Sequence, residues 1–202
     1  MRTAACSQRR YKKVKVIGLV CSPRPGANTE TLVREALAGA KEAGSDVELV
    51  SLVGKSIAPC DACRACVKTG ECHIKDDMQE IYRKLQESDG VVIGTPVYFA
   101  NVSAQAKLVI DRTYALLWSR KLVGKVGGVV TIARRTGGGN VLSSLYTFFT
   151  AQRMLTAGGT VGYEGEAVAY GEKGAVRGDE RTMKEARAVG KNVVLLIRHV
   201  TK

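Results

Sequence analysis

From residue 14 onward, short apolar runs alternate with longer amphipathic ones. Val14 to Val20 (VKVIGLV) is rich in β-branched residues and runs into Ser22-Pro23-Arg24-Pro25-Gly26, which predicts a buried strand ended by a turn. Thr29 to Ala43 places Leu32, Val33, Ala36, Leu37 and Ala40 on one face of a helix. Asn28 or Thr29 is the expected cap and Gly44 the expected stop. The same reading predicts strands at Val47–Val53, Gly90–Gly94, Val126–Ala133 and Thr160–Ala169. It predicts helices at Asp76–Glu87, Ser103–Trp118, Val141–Leu155 and Asp179–Arg198.

Alternation of strand and helix implies an α/β fold, a five-stranded parallel sheet with helices on both faces. Ligands of such sheets lie beyond the carboxyl ends of the strands. That rule selects three loops: residues 21–29, 95–102 and 133–140. The chain of 202 residues shows no repeat and no linker, so residues 13–202 are expected to form one domain after a basic arm at 1–12.

Composition narrows the function. No apolar run approaches the ~20 residues of a membrane span, and the first residues lack the apolar stretch of a signal peptide. A cytoplasmic setting is expected, where six cysteines point to metal or redox work rather than disulfides. The net charge is +12, and Arg2, Arg9, Arg10, Lys12, Lys13 and Lys15 precede the first acid, Glu30. Such an arm reads as a solvated terminus or as an attractor for an acidic partner. Aromatic residues are only 5%, so the stacking platforms of nucleic-acid binders are missing and nucleic acid is not the expected partner.

The first selected loop carries Ser22, Arg24, Asn28 and Thr29 at the start of a helix, where hydroxyls, amides and a guanidinium suit an anion. Neither G-x-x-x-x-G-K-[ST] nor G-x-G-x-x-G is present, which leaves a monophosphate. The second loop carries Pro96, Val97, Tyr98 and Phe99, and the third Thr136, Gly137, Gly138, Gly139 and Asn140. Each alone would pass for an ordinary turn; three at one sheet edge suggest a site for a flat phosphorylated ligand.

Between the second strand and second helix, in a loop at 57–75, lies Cys60-x2-Cys63-x2-Cys66-x5-Cys72. Four closely spaced thiolates suit a [4Fe–4S] cluster, although the last gap differs from the ferredoxin run. Structural zinc, or free thiols and a redox disulfide, are the alternatives. His73 beside Cys72 is either a donor to the metal site or an exposed loop residue. With two histidines and no triad or HExxH spacing, hydrolytic chemistry has no support.

The segments GLVCSPRPGANT (18–29), GTPVYF (94–99), KLVIDR (107–112) and the Gly-rich loop (137–140) resemble the NADPH-dependent FMN reductase family. The likeness spans nearly the whole chain beyond the arm. It implies a flavodoxin-like three-layer fold and FMN. Ser22, Arg24, Asn28 and Thr29 would hold the phosphate, and Pro96, Val97, Tyr98, Phe99, Thr136, Gly137 and Gly138 would line the ring. Arg134-Arg135 departs from the family's small residues in the third loop. With the cysteine motif, the chain is similar to the iron–sulfur flavoproteins of archaea and anaerobic bacteria. That likeness implies a homodimer or homotetramer passing electrons between ferredoxin or a similar carrier, a [4Fe–4S] cluster on Cys60, Cys63, Cys66 and Cys72, FMN and an acceptor such as oxygen or peroxide. The alternatives are a cluster-free NAD(P)H-dependent FMN or quinone reductase and a basic four-cysteine zinc module.

Overall fold

The computed structural model describes residues 13–165 and 171–201. The basic arm, and the last part of the strand expected at Thr160–Ala169, therefore lie outside the described residues. The strands are β1 (Lys15–Val20), β2 (Asp46–Ser51), β3 (Gly90–Pro96), β4 (Val126–Ala133) and β5 (Leu155–Tyr163). They pair in parallel in the order β2-β1-β3-β4-β5, which is the flavodoxin-like order. Because all five point the same way, every loop that follows a strand emerges at one edge.

The helices are α1 (Asn28–Glu42), α2 (Ala65–Thr69), α3 (Met78–Glu87), α4 (Ala104–Arg112), α5 (Tyr114–Trp118), α6 (Gly138–Ala151) and α7 (Glu180–Val200), with a short 3-10 turn at Ala175–Gly178. Two cores form, one on each face of the sheet. Leu32, Val33 and Ala36 of α1 pack with Val193, Val194 and Ile197 of α7 on one side. Met78, Ile81, Val109, Leu145 and Phe149 fill the other. Helices α1 and α7 meet backbone to backbone: a Cβ on Gly190 would lie 1.7 Å from the Ala36 carbonyl oxygen.

Five expectations require correction. Neither Asn28 nor Thr29 caps α1; Ala27 holds the cap position without a side-chain bond, and Asn28 faces the chain's other end. The strand expected to stop before Pro96 runs through it, pairing Pro96 with Ile132. The expected helix Ser103–Trp118 breaks at Thr113. There the Arg112 carbonyl accepts from the Tyr82 hydroxyl at 2.7 Å and the Thr113 carbonyl from Gln152 Nε2 at 3.2 Å, so side chains intrude on the helical ladder. The fifth strand begins at Leu155 rather than Thr160, and α6 ends four residues earlier than Leu155, at Ala151. Its Gly158, at φ +98°, sits in a bulge where β5 carries one residue more than β4.

Candidate functional site

The loop after β1 is a tight turn in which the Ser22 hydroxyl accepts from the Arg24 amide at 3.2 Å. Gly26, in the left-handed region, leads into α1, and its amide donates to Glu30 at 2.9 Å. Ser22, Asn28 and Thr29 are buried at the mouth of this helix, whose first-turn amides have no partner within the helix. The Arg24 guanidinium reaches across to the Gly171 carbonyl. Asn28 donates to Glu164 at 3.3 Å and accepts from the Val176 amide at 3.2 Å, tying the loop after β1 to the segment after β5.

The loop after β3 is strained. Tyr98 and Asn101 exchange both backbone hydrogen bonds, at 2.9 and 3.0 Å, around Phe99 and Ala100. Both central residues have positive φ (49° and 58°), a conformation that normally calls for glycine or asparagine. The turn holds Phe99 fully in solvent and leaves Tyr98 half exposed. Strain of this kind persists where function uses it. Across from it, Gly137 has φ +89°, and a Cβ there would lie 2.7 Å from Ala100 Cα and 3.0 Å from Val97 Cγ1. Only glycine lets the third loop approach the second this closely.

These loops enclose a cleft of about 740 Å³, within the usual range for a small-molecule site. Eight of the expected residues line it: Ser22, Arg24, Asn28, Thr29, Pro96, Val97, Tyr98 and Phe99. Thr136, Gly137 and Gly138 are not in its lining; Gly137 instead supports the Val97–Ala100 wall from behind. The lining also includes Ala27 and Arg134, from loops that the sequence selected without naming them as contacts, and Ile132, Glu164 and Gly171, which sequence reasoning missed. Glu164 follows the true end of β5 directly, so a correct boundary for that strand would have found it.

At the same sheet edge, the segment after β2 winds through two left-handed residues, Ala62 (φ 58°) and Arg64 (φ 61°), then the single turn of α2. Cys60, Cys63, Cys66 and Cys72 come together on one small cavity with Asp61, Arg64, His73 and Arg112. Cys60 and Cys63 are exposed, Cys72 is half-buried and Cys66 is buried. Burial pushes the Cys66 thiol up, and the neighbouring charges of Cys72, Cys63 and Cys60 push it the same way. Four sulfur atoms on one cavity are a donor set that soft metals take. His73 Nε2 lies 2.7 Å from Asp61 Oδ2, and the ligand atoms of Asp61, Cys63 and His73 lie within 4.8 Å of one another. Cys21, by contrast, is a buried hydrophobe whose thiol burial raises far above its usual range.

The base of this loop is fixed by charge. Arg112, fully buried, forms a bidentate pair with Asp76, Nη1 to Oδ2 at 2.7 Å and Nη2 to Oδ1 at 3.1 Å. Burial works against the Asp76 charge, yet the Arg112 hydrogen bonds and the amides of Ala58 and Met78 bring its carboxyl below the ordinary value. Glu80 is held at about 2 by hydrogen bonds from Lys55 and Lys84.

A parallel sheet in the order 2-1-3-4-5 with a cleft at the carboxyl edge of its strands is the flavodoxin-like arrangement, in which ligands lie at that edge. Residues 14–167 match the NADPH-dependent FMN reductase family, to which the chain belongs; it is a flavin-linked oxidoreductase. It is 38% identical to an iron-sulfur flavoprotein of Methanocaldococcus jannaschii over 94% of this chain and all of that one. An iron-sulfur flavoprotein of Methanosarcina thermophila is 36% identical over 72% of this chain and 78% of that one. Among solved structures, RosB with a bound riboflavin-phosphate intermediate superposes with a TM-score of 0.73 at 20% identity, covering 93% of this chain and 80% of that one. At that identity the likeness concerns the fold. Among the described residues no helix is long and apolar enough to cross a membrane.

Proposed function

We propose that this protein is an iron–sulfur flavoprotein, with FMN in the 740 Å³ cleft and a [4Fe–4S] cluster on Cys60, Cys63, Cys66 and Cys72. One observation carries the reading: four thiols share a cavity at the same sheet edge as a mononucleotide-sized cleft. The donor set fits the cluster, because soft thiolates are its ordinary ligands and all four cysteines line one cavity. The names of the two archaeal relatives support the same conclusion.

Ser22, Asn28 and Thr29 would bind the FMN phosphate together with the first-turn amides of α1. Arg24 would add a charge-assisted hydrogen bond. Pro96, Val97, Tyr98 and Phe99 would line the flavin ring, with Thr136, Gly137 and Gly138 setting the position of that wall. When bound, flavin supplies one- and two-electron chemistry and the cluster supplies one-electron exchange. The donor is NAD(P)H or a small acidic carrier of the ferredoxin type, which a net charge of +12 would attract. Oxygen or peroxide is the acceptor, and the working form is a homodimer or homotetramer in the cytoplasm. Residues 13–202 form the single flavin-binding domain, and the basic residues of segment 1–12 assist the acidic donor through their charge.

Protein purified without oxygen should contain FMN and about four irons with matching acid-labile sulfide per chain. It should bind FMN far more tightly than riboflavin, which lacks the phosphate. Equal affinity for the two flavins would end the phosphate-loop assignment. A second reading has a specific observation behind it: Asp61, Cys63 and His73 are close enough to share a zinc ion. Stoichiometric zinc and no sulfide would select it. Flavin with neither metal would select a cluster-free NAD(P)H-dependent FMN or quinone reductase.

A further inference from the structure

Arg112 is the largest side chain in the protein with essentially no exposure among the described residues. Its guanidinium has five N–H donors, and four of them are accounted for. Nη1 donates to the Ala58 carbonyl and to Asp76 Oδ2, both at 2.7 Å. Nη2 donates to the Ile74 carbonyl at 3.3 Å and to Asp76 Oδ1 at 3.1 Å. Ala58 lies two residues before Cys60, and Ile74 two residues after Cys72. One side chain therefore grips the cysteine loop at both ends.

The fifth donor, Nε, is buried and has no partner, alone in this respect among the described residues. A buried N–H is normally satisfied, and an exception calls for a physical cause such as a missing ligand. Arg112 lines the same cavity as the four thiols. The acceptors that would gather in that cavity are thiolate and sulfide sulfur.

We propose that Arg112 is the positioning residue of the four-cysteine site, closing its loop with four donors and giving the fifth, Nε, to a sulfur of the bound cluster. This rests on the reading of the cysteines as cluster ligands. A donor to sulfur stabilises the more negative, reduced cluster more than the oxidised one, so the bond holds the reduction potential up. Lysine keeps the charge of arginine but not its planar fork.

The test is a mediated redox titration of the anaerobic holoprotein, followed by the spectrum of the reduced cluster, in wild type, Arg112→Lys and Asp76→Asn. Arg112→Lys should bind iron and titrate at a lower potential than wild type. Asp76→Asn loosens the same clamp but leaves Nε in place and removes a negative charge, so its potential should stay level or rise. An unchanged potential in Arg112→Lys, or an equal fall in both variants, would overturn the proposal while leaving the cluster reading intact. A wild type without iron or sulfide would overturn both. If Arg112→Lys holds no cluster, wild type labelled with 15N at arginine Nε decides, using the magnetic coupling between nitrogen and the reduced cluster. Arg64→Lys removes the other arginine of the cavity; coupling that survives it supports the bond, and absence of coupling overturns it.

Discussion

The cleft is walled by loops at the ends of strands in a five-stranded sheet, and several separate contacts position them, from Ser22, Arg24 and Asn28 to the backbone pair of Tyr98 and Asn101. The cysteine loop at 57–75 contains only the five residues of α2, and one buried ion pair fastens both of its ends. Both regions use left-handed backbone at non-glycine residues, Phe99 and Ala100 in one, Ala62 and Arg64 in the other. They differ in what holds that strain in place. The cleft loops are held by separate contacts on several strands, whereas the cysteine loop has a single buried charge pair, supported by the bonds of Asp77 to Ser56 and of Gln79 to Ile74.

The largest effect should come from cutting that tie. Asp76→Ala leaves the Arg112 guanidinium buried without its counter-charge, which costs about 3–5 kcal/mol of stability by urea unfolding. Cutting the exposed Lys107–Asp111 pair with Asp111→Ala should cost under about 1 kcal/mol. Similar losses in both variants would show that the buried pair has no special role.

On the cleft side, Arg24→Ala should weaken FMN by about 1.5–3 kcal/mol, roughly 10- to 150-fold, and leave riboflavin binding nearly unchanged. Fluorescence titration with the two flavins measures both. Gly137→Ala forces a Cβ toward Ala100 Cα at 2.7 Å and puts alanine at φ +89°. Strain of about 1–3 kcal/mol should appear as a roughly 5- to 150-fold loss of FMN and riboflavin alike, because the wall rather than the phosphate loop is displaced. Selective loss of FMN would contradict that division of labour.

Acid gives the smallest and most graded test. Asp76 and Glu80 both have folded values below their ordinary ones, so their contribution is complete above the unfolded values and fades as pH falls toward the folded ones. Wild type should lose stability between roughly pH 5 and pH 2, the span separating these values. Asp76→Asn and Glu80→Gln should start lower and lose less over that range. Parallel curves for variants and wild type would place the acid-sensitive groups elsewhere.

Much of this was legible in the sequence. The strands β1 and β4 are plain runs of β-branched residues, and the alternation of elements leads directly to the parallel sheet. The placement of the first two loops was legible because their residue types follow a strand, and Ser22, Arg24, Asn28, Thr29 and Pro96 to Phe99 line one cleft. The start of β5 was not legible, since Gly158-Gly159 reads as a turn while the structure uses it as a bulge. Glu164 was lost with it. The split between α4 and α5 was hidden because its cause is tertiary: Tyr82 and Gln152 reach the carbonyls of Arg112 and Thr113 from distant helices. The clamp by Arg112 was hidden for the same reason, since a motif shows a residue type but not the 54-residue span to Ala58.

The central claim is that two independently built sites sit at one sheet edge, one for FMN and one for a cluster. Cys66→Ser, prepared without oxygen, tests it most directly through iron, sulfide and flavin measured on the same sample. Cys66 is the buried thiol of the four, and it does not line the cleft. Loss of iron and sulfide with FMN retained near one per chain is the predicted result. Iron and sulfide at wild-type levels, or flavin lost together with the metal, would contradict it.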